Sequence, residues 1–369
     1  MALTTVRPEG MGFNTGRRNL IINGAMRVAQ RSSGPVSVAD SSNEGYQTLD
    51  RFGLYYGNNA GGVVDVSQST DVPSGYGFTN SCKIDVTTAD TSVSGTHHIF
   101  FRQAVEAQDV ANSGWNHTSS SSYMTLSFWA KSVKAGTYCV AIEASDSAST
   151  RIFVKEYTLV ADTWKKVEIT FPGESGVTVN NDNGVGLVIK WALQAGSDRN
   201  NATDNTWNSA DTSIATSNQV NFYDSTDNNF FLTGVQLEVG ENASDFEHRS
   251  YGEELTLCQR YAVVYSAASS GNETFIGSGT TIDSDDVLVV ASLPNNLRAT
   301  PTVTFTNFGV RTAASYTYNN TINGIFPPVG GNTIGFNIDS ADTPYTAGQA
   351  VLCVIDAGSS NHLTLDAEL

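Results

Sequence analysis

Charged side chains are scarce in this chain, and positively charged ones are the scarcer. Of 369 residues only 15% are charged, with 20 Lys and Arg against 37 Asp and Glu and a formal net charge of −17. Typical globular proteins carry about 25% charged residues. Nucleic acids and anionic membrane surfaces are bound through basic patches, so this balance argues against both as partners. Gly, Ser, Thr and Asn must supply the polar surface, which is typical of a β-rich protein with many turns.

Cysteines and long apolar runs are also few. The four cysteines, Cys82, Cys139, Cys258 and Cys353, are isolated and show neither a CxxC pair nor metal-ligand spacing. We therefore predict buried free thiols and no cofactor, in a protein assembled in a reducing cytoplasm. No apolar run approaches the roughly 20 residues that span a bilayer, so we predict no membrane insertion. The first residues lack the apolar core of a signal peptide.

One segment has the pattern of a helix in a sequence that otherwise predicts strands and loops. Ser250 followed three residues later by Glu253 fits a capping box, and the helix dipole favours acidic side chains in this first turn. An apolar stripe at helical spacing consists of Tyr251, Leu255, Cys258 and Ala262. The sequence therefore predicts a linker helix over residues 246–262 that braces two β modules.

The residues before this helix predict a large β-sandwich of the jelly-roll type over 20–245. The apolar residues Met124, Leu126 and Phe128 alternate with Thr125 and Ser127, as in a half-buried strand. Short strands follow one another at intervals of roughly 8 to 12 residues, which is typical of sandwiches and jelly rolls. The polar stretch 198–227 is too long for an ordinary hairpin loop and predicts a functional or interface loop.

The first 19 residues have no regular pattern. Three glycines interrupt them, and Arg7, Arg17 and Arg18 make them locally basic on an acidic protein. One interpretation is a tail without fixed structure. The other, which we adopt, is an arm over 1–19 that docks on another protein.

The residues after the helix, 263–369, predict a second, smaller β unit. Its strands are expected at 287–290, 302–305, 334–338, 351–355 and 363–369. The predicted fold class is therefore all-β, with an N-terminal jelly-roll β-sandwich, a short connecting helix and a smaller C-terminal β-sandwich.

Catalytic motifs are missing from the sequence, which contains no GxSxG, HExxH or P-loop. Glu143, Glu156 or Glu168 could be paired as the carboxylates of a glycosidase, but an acidic chain offers such pairs by chance. The run 283–286 is rich in Asp without matching an EF-hand loop, and predicts a solvated turn. We therefore predict that the protein is not an enzyme and holds no metal.

Several short motifs of the chain, taken in order, resemble segments of tail fibre and related virion appendage proteins of tailed bacteriophages. They are 19–24 (NLIING), Tyr46 with 50–52 (DRF), 126–132 (LSFWAKS), 134–138 (KAGTY), 164–166 (WKK), 169–173 (ITFPG), 233–240 (TGVQLEVG), 245–261, 297–303 (LRATPTV) and 366–369 (DAEL). The resemblance implies a homotrimer that docks on a tail adaptor or nozzle through its arm.

The N-terminal sandwich is also similar to carbohydrate-binding modules of the jelly-roll type, in which acidic positions near both ends often help to hold a structural calcium ion. Here Ala25 and Met26 replace the Asp and Phe of that pattern, so the resemblance does not extend to the calcium ligands. It does imply glycan binding through aromatic rings, on which sugars stack. Our candidates, chosen for their polar, loop-like surroundings, are Trp115, Trp207 and Tyr223; the alternative is that these rings belong to the core.

The resemblances together imply a tail fibre or receptor-binding protein that attaches to host surface glycans by many weak contacts. Its expected location is the phage tail, after synthesis in the host cytoplasm. A capsid decoration or head-fibre protein is the structural alternative, and its arm would dock on the shell. A polysaccharide depolymerase is the enzymatic alternative, and it would require a carboxylate pair in a cleft.

Overall fold

The computed structural model describes residues 18–58, 60–209, 213–267, 272–312, 316–317, 320–326, 331–340, 345–358 and 362–369. Within these residues, the N-terminal unit contains the strands β1 (Val36–Val38), β2 (Gly53–Gly57), β3 (Val63–Ser69), β4 (Ser81–Thr88), β5 (His98–Glu106), β6 (Tyr123–Ser132), β7 (Gly136–Ala144), β8 (Arg151–Leu159), β9 (Lys165–Pro172), β10 (Val185–Ala195), β11 (Thr206–Asn208) and β12 (Asn229–Val239). A short helix, α1 (Ala107–Ala111), follows β5, and a 3-10 turn lies at Phe222–Asp224.

These strands form the two antiparallel sheets of a jelly-roll sandwich. The A sheet has the order β1-β3-β4-β12-β6-β9, and the B sheet has the order β11-β8-β7-β10-β5-β2. Strands that are distant in sequence lie side by side, as β12 does between β4 and β6. The inner faces enclose one apolar core whose largest fully buried side chains include Trp191, Tyr138 and Phe128.

Strand β6 shows how the sequence pattern builds the sandwich. The side chains of Met124, Leu126 and Phe128 enter the core and are fully buried, as their alternation predicts. Trp129 points to the outer face and remains half-buried. Its neighbour β12 carries a bulge between Thr233 and Gln236, where Gly234 has a φ of 64°.

The C-terminal unit is the expected smaller β-sandwich. Among the described residues its strands are β13 (Ala262–Ser266), β14 (Thr274–Thr281), β15 (Asp286–Ser292), β16 (Thr302–Thr306), β17 (Phe308–Arg311), β18 (Tyr316–Thr317), β19 (Asn320–Phe326), β20 (Thr333–Ser340), β21 (Ala350–Ile355) and β22 (His362–Asp366). The C sheet, β13-β22-β16, packs through Leu363 and Leu365 on the D sheet, β18-β17-β21-β14-β15-β20-β19. The predicted all-β fold class is confirmed.

The linker helix is shorter than predicted. Helix α2 covers Tyr251–Cys258, and Ser250 and Glu253 form the expected capping box. The apolar stripe is confirmed at Cys258 and Ala262, which are buried, and at Leu255, which packs beside Cys258, but it is wrong for Tyr251, which is 48% exposed. Glu254 is buried instead. Glu254 turns inward because its carboxylate accepts a hydrogen bond of 2.5 Å from the main-chain N–H of Asn23. No helix of the described residues has the length and hydrophobicity needed to cross a membrane.

The motif at 19–24 ties the start of the sandwich to its last strand. The side chain of Asn19 is buried, donating to the Val235 carbonyl and accepting from the main-chain N–H of Leu237. A Cβ atom at Gly24 would lie 2.1 Å from the Val235 carbonyl oxygen, so only glycine fits there. These residues therefore have a structural function that explains their spacing.

The motif at 50–52 and the one at 366–369 meet at the junction between the two units. Arg51 is buried, pairs with Glu368, and lies 3.4 Å above the ring of Tyr261. Arg31 lies beside it and pairs with Asp366 at 2.8 Å. Because buried charges need partners, this junction holds the C sheet against the jelly roll in one arrangement.

All four cysteines, Cys82, Cys139, Cys258 and Cys353, are buried free thiols, as predicted.

Candidate functional site

The structure places two of the three predicted glycan-stacking rings together inside the sandwich. Trp115 is only 4% exposed, and its indole N–H donates to the Ser122 carbonyl at 3.2 Å. Trp207 is half-buried and donates to the Pro172 carbonyl at 2.9 Å. Both rings pack on Phe171, with ring centroids 5.7 and 6.1 Å away. The expectation of an exposed ring is therefore wrong for Trp115.

Tyr223 lies apart from these two rings and is fully buried. Its hydroxyl is 3.2 Å from that of Tyr56, and burial raises its pKa well above the ordinary value. Polar sequence neighbours made this residue look exposed, but the 3-10 turn at Phe222–Asp224 folds its side chain into the core. The expectation of exposure is wrong here as well.

The long polar stretch that contains Tyr223 packs in part on its own molecule. Ile214 and Ala215 are buried against the outer face of the B sheet, beside Cys139 and Ala141. This segment therefore covers much of the outer face of the B sheet.

Of the three arginines predicted to dock on the virion, only Arg18 lies within the described residues; Arg7 and Arg17 lie outside them. Arg18 donates to the main-chain oxygen of Asp245 at 2.6 Å and is 3.5 Å from the Glu238 carboxylate. This guanidinium is thus engaged by its own chain.

The three glutamates considered as glycosidase carboxylates do not form a catalytic pair. Glu168 is on the A sheet, while Glu143 and Glu156 are on the B sheet. Glu143 lies opposite Ile152, four residues from Glu156 along β8, a separation of about 13 Å at the rise of a strand. Inverting glycosidases hold their carboxylates about 6.5–9.5 Å apart and retaining ones closer.

The segments at the two ends of the sandwich meet around the positively charged side chain of Arg249. Its guanidinium donates to the carbonyls of Asn19 and Ile21 at 2.5 and 3.0 Å. It also pairs with Glu247 and Glu254 at 3.2 and 3.4 Å. The guanidinium therefore occupies a space that is lined by main-chain and carboxylate oxygens. Across the described residues, no group of three or more His, Cys, Asp or Glu side chains is placed to hold a metal.

The outer face of the A sheet carries a groove that sequence reasoning missed. We call it the aromatic groove and define it by Tyr76, Phe78, Trp129, Phe246 and His248. Trp129 comes from β6, the first two residues from the β3–β4 loop, and the last two from the segment before α2. Its volume is about 220 Å³, and an adjoining hollow of about 360 Å³ extends past Phe78 and His248 to Arg27.

Local backbone features hold Tyr76 out at the mouth of the groove. It stands between Gly75 and Gly77, whose φ angles of 87° and 77° are in the left-handed region that favours glycine. The side chain is 54% exposed, and its ring centroid is 4.3 Å from that of Trp129. His248 fixes the loop through a contact of 3.0 Å between its Nε2 and the Tyr76 carbonyl.

The floor of the groove exists because β12 has a glycine at its bulge. A Cβ atom on Gly234 would lie 2.6 Å from the ring of Phe78 and 3.0 Å from that of Trp129. The ring of Phe78 packs on Phe246 and His248, with centroids 5.0 and 5.2 Å away. This packing makes the floor rigid.

Polar side chains line the rim. Lys166 stands opposite Trp129 on β9, Asp245 is exposed, and Ser127 contributes a hydroxyl. Exposed ring faces with a few polar groups around them can stack on the apolar face of a sugar and hydrogen-bond its hydroxyls. The arrangement of rings and polar side chains is therefore suited to ligand binding.

A second aromatic group lies beside the groove, two residues further along β6, β9 and β12. The Trp164 indole donates to Asp71 at 3.0 Å, and the Nζ of Lys131 lies 4.5 Å from the ring centre of Phe231. Burial would raise the pKa of Asp71, but hydrogen bonds from Lys131 and Trp164 outweigh burial and lower it. The carboxylate is therefore ionised at neutral pH and can accept hydrogen bonds from a ligand.

Comparisons with known proteins were made for the whole chain. No protein-family model matches it, and none of the curated proteins matches it. Among solved structures, it is similar to the enzymatically active domain of tailspike protein 4 of bacteriophage CBA120, with 13% identity and a TM-score of 0.32. That match covers 60% of this chain and 21% of the tailspike chain.

Two carbohydrate-binding modules are also similar. The family 11 module of Clostridium thermocellum, solved with a β-1,3-1,4-mixed-linked tetrasaccharide, has 16% identity and a TM-score of 0.28 over 54% of this chain and 91% of the module. A family 22 xylan-binding domain from Paenibacillus barcinonensis has 11% identity and a TM-score of 0.27 over 58% and 99%. These similarities are too distant to assign a ligand to this chain.

Proposed function

We propose that this protein is a virion appendage of a tailed bacteriophage, a tail fibre or receptor-binding protein, that attaches to host surface glycans through the aromatic groove. The observation that carries the proposal is the close pair of the exposed Tyr76 ring and the half-buried Trp129 ring, at the mouth of a groove on the A sheet. The ordered series of motifs that resemble tail fibre proteins supports the virion context. The docking arm at 1–19 remains part of this proposal.

The test is binding of the purified full chain to an array of bacterial surface polysaccharides. Tyr76→Ala with Trp129→Ala removes two stacking surfaces, each of which contributes about 0.5–1.5 kcal/mol. We expect a loss of affinity of about 10- to 100-fold for the polysaccharides that the native chain binds. Tyr251→Ala is the matched control, because this tyrosine is also exposed but lies outside the groove.

The outcomes are distinct. Equal loss with Tyr251→Ala would point to a non-specific surface effect, and unchanged binding after the double substitution would place the glycan elsewhere. If the native chain binds no polysaccharide but is found on the capsid lattice, the decoration or head-fibre alternative replaces the tail assignment.

A further inference from the structure

Exposed large apolar side chains are concentrated on one face of the C-terminal unit. Of the nine in the described part of the chain, five lie on the outer face of the D sheet, which belongs to the smaller unit. They are Phe275, Leu288, Val290, Phe326 and Leu352. Soluble monomers rarely leave such a contiguous apolar face uncovered.

The strand register places four of these five side chains in two continuous rows across the sheet. One row runs Leu352, Ser278, Val290, Gly335 and Phe326, through directly paired positions on five strands. The next row runs Ala350, Thr280, Leu288, Asn337 and Gly324. Large and small side chains alternate, so the face has ridges and hollows that can interlock with a second face of the same kind.

Neither row contains an ionisable side chain. Among the described residues, charged groups begin at the borders, with Arg311 and its partner Glu273 at one end and Asp286 and Asp339 near the other. Two copies of a chain with a net charge of −17 repel one another, so a surface free of carboxylates is the most favourable place for close association. This face meets that requirement.

Its size also matches a contact between proteins. Five strands about 4.8 Å apart and about 25 Å long present roughly 600 Å² per copy. Two such faces bury roughly 1,200 Å², which is the lower end of the range for specific interfaces. Its two exposed rings, Phe275 and Phe326, stand three strands apart instead of side by side like Tyr76 and Trp129, so a glycan is a poorer occupant.

We propose that the outer face of the D sheet is a self-association surface, on which another copy of this chain packs. The proposal does not depend on the ligand of the aromatic groove, which lies on the other unit. It assigns the two β units different tasks: the jelly roll presents the groove, and the C-terminal sandwich brings copies together.

The test is the mass of the full chain in solution, measured by analytical ultracentrifugation over a range of concentrations. Val290→Lys and Leu352→Lys each place a charge in the centre of the face, and we expect each to weaken association by at least about 100-fold. Val160→Lys is the control, since Val160 is 65% exposed and lies outside this face. It should leave the mass unchanged.

Three results would overturn the proposal: a native chain that stays monomeric at every concentration, an assembly that persists in both face variants, or equal weakening by Val160→Lys. Circular dichroism confirms that each variant is folded. Should one face variant misfold, the other still decides the outcome, because the two residues lie on different strands.

Discussion

Buried polar residues set the local geometry of this protein. Asn19, Asn23 and Asp50 are fully buried, and each satisfies main-chain groups of distant segments. Asn23 adopts a φ of 61°, and its side chain binds main-chain atoms of both Val28 and Asp50. An apolar substitution at any of the three would leave main-chain donors or acceptors unpaired away from water.

Gly24→Ala is expected to destabilise the protein by about 1–3 kcal/mol, because the added methyl group overlaps the Val235 carbonyl oxygen. Gly252→Ala is the matched control: it lies in α2 and nothing is within 4 Å of the added atom. There we expect a gain of about 0.5–1 kcal/mol from helix propensity. Urea denaturation of both variants measures these changes, and equal effects would contradict the close approach at Gly24.

Asp50 makes stability depend on pH. Burial raises its pKa to about 6, against the lowering effects of Arg31 and Gln30. The unfolded carboxyl has a pKa of about 3.9, so the folded state binds the proton more tightly, and the ionised form costs stability above pH 6. This cost disappears as the pH falls toward 4.

Asp50→Asn should abolish that dependence. We expect the free energy of unfolding of the native chain, relative to the variant, to rise by about 2–3 kcal/mol between pH 7 and pH 4. Urea denaturation of both proteins at a series of pH values measures the difference. A difference that stays constant across this range would show that Asp50 does not titrate as described.

At the scale of elements, helix α2 and the segment before it join the sandwich to the C-terminal unit. Phe246 and His248 face the aromatic groove, Arg249 binds the carbonyls of residues 19 and 21, and Glu254 holds Asn23. The segment therefore does three things within ten residues. The helical spacing of apolar residues predicted a longer helix, because this spacing carries no information about tertiary contacts.

Arg249→Met tests this element. The substitution leaves Glu254 buried without its charge partner and the carbonyls of Asn19 and Ile21 without a donor, so we expect a loss of about 3–5 kcal/mol. Lys83→Met removes an exposed pair with Asp85 and should cost at most about 1 kcal/mol. Thermal denaturation compares the two, and a similar small loss in both would contradict the structural role of Arg249.

Much of the fold is predictable from sequence, and the site is not. The strands β6 and β9 follow from the alternation of their core residues, and β12 and β21 follow from runs of apolar and β-branched residues. The aromatic groove brings together a loop, a strand and a linker that are far apart in the chain. Two signals for it were present: the outward position of Trp129 in β6, and Tyr76 between two glycines.

The wrong predictions of exposure for two aromatic rings have a different cause. Trp115 and Tyr223 have polar neighbours in sequence, but long-range packing decides whether a ring is buried. Polar sequence neighbours therefore indicate that a residue lies in a loop, but they do not indicate whether its side chain is exposed.

At the scale of the whole molecule, we propose that the two units divide recognition and assembly between them. Self-association through the D sheet would present several aromatic grooves to one cell surface, and linked weak sites bind far more tightly than single ones. Val290→Lys should therefore leave binding of a soluble oligosaccharide unchanged while weakening binding to a polysaccharide-coated surface by about 100-fold or more. Calorimetry and surface binding measure the two quantities. A parallel loss in both would contradict the separation of tasks.

The most direct test of the account is cryo-electron microscopy of intact particles that carry this protein. We predict several copies on the tail, arranged around a symmetry axis with the outer faces of their D sheets turned inward and the Tyr76–Trp129 pair open to solvent. Copies on the capsid lattice, or an aromatic groove buried against another virion protein, would contradict the account.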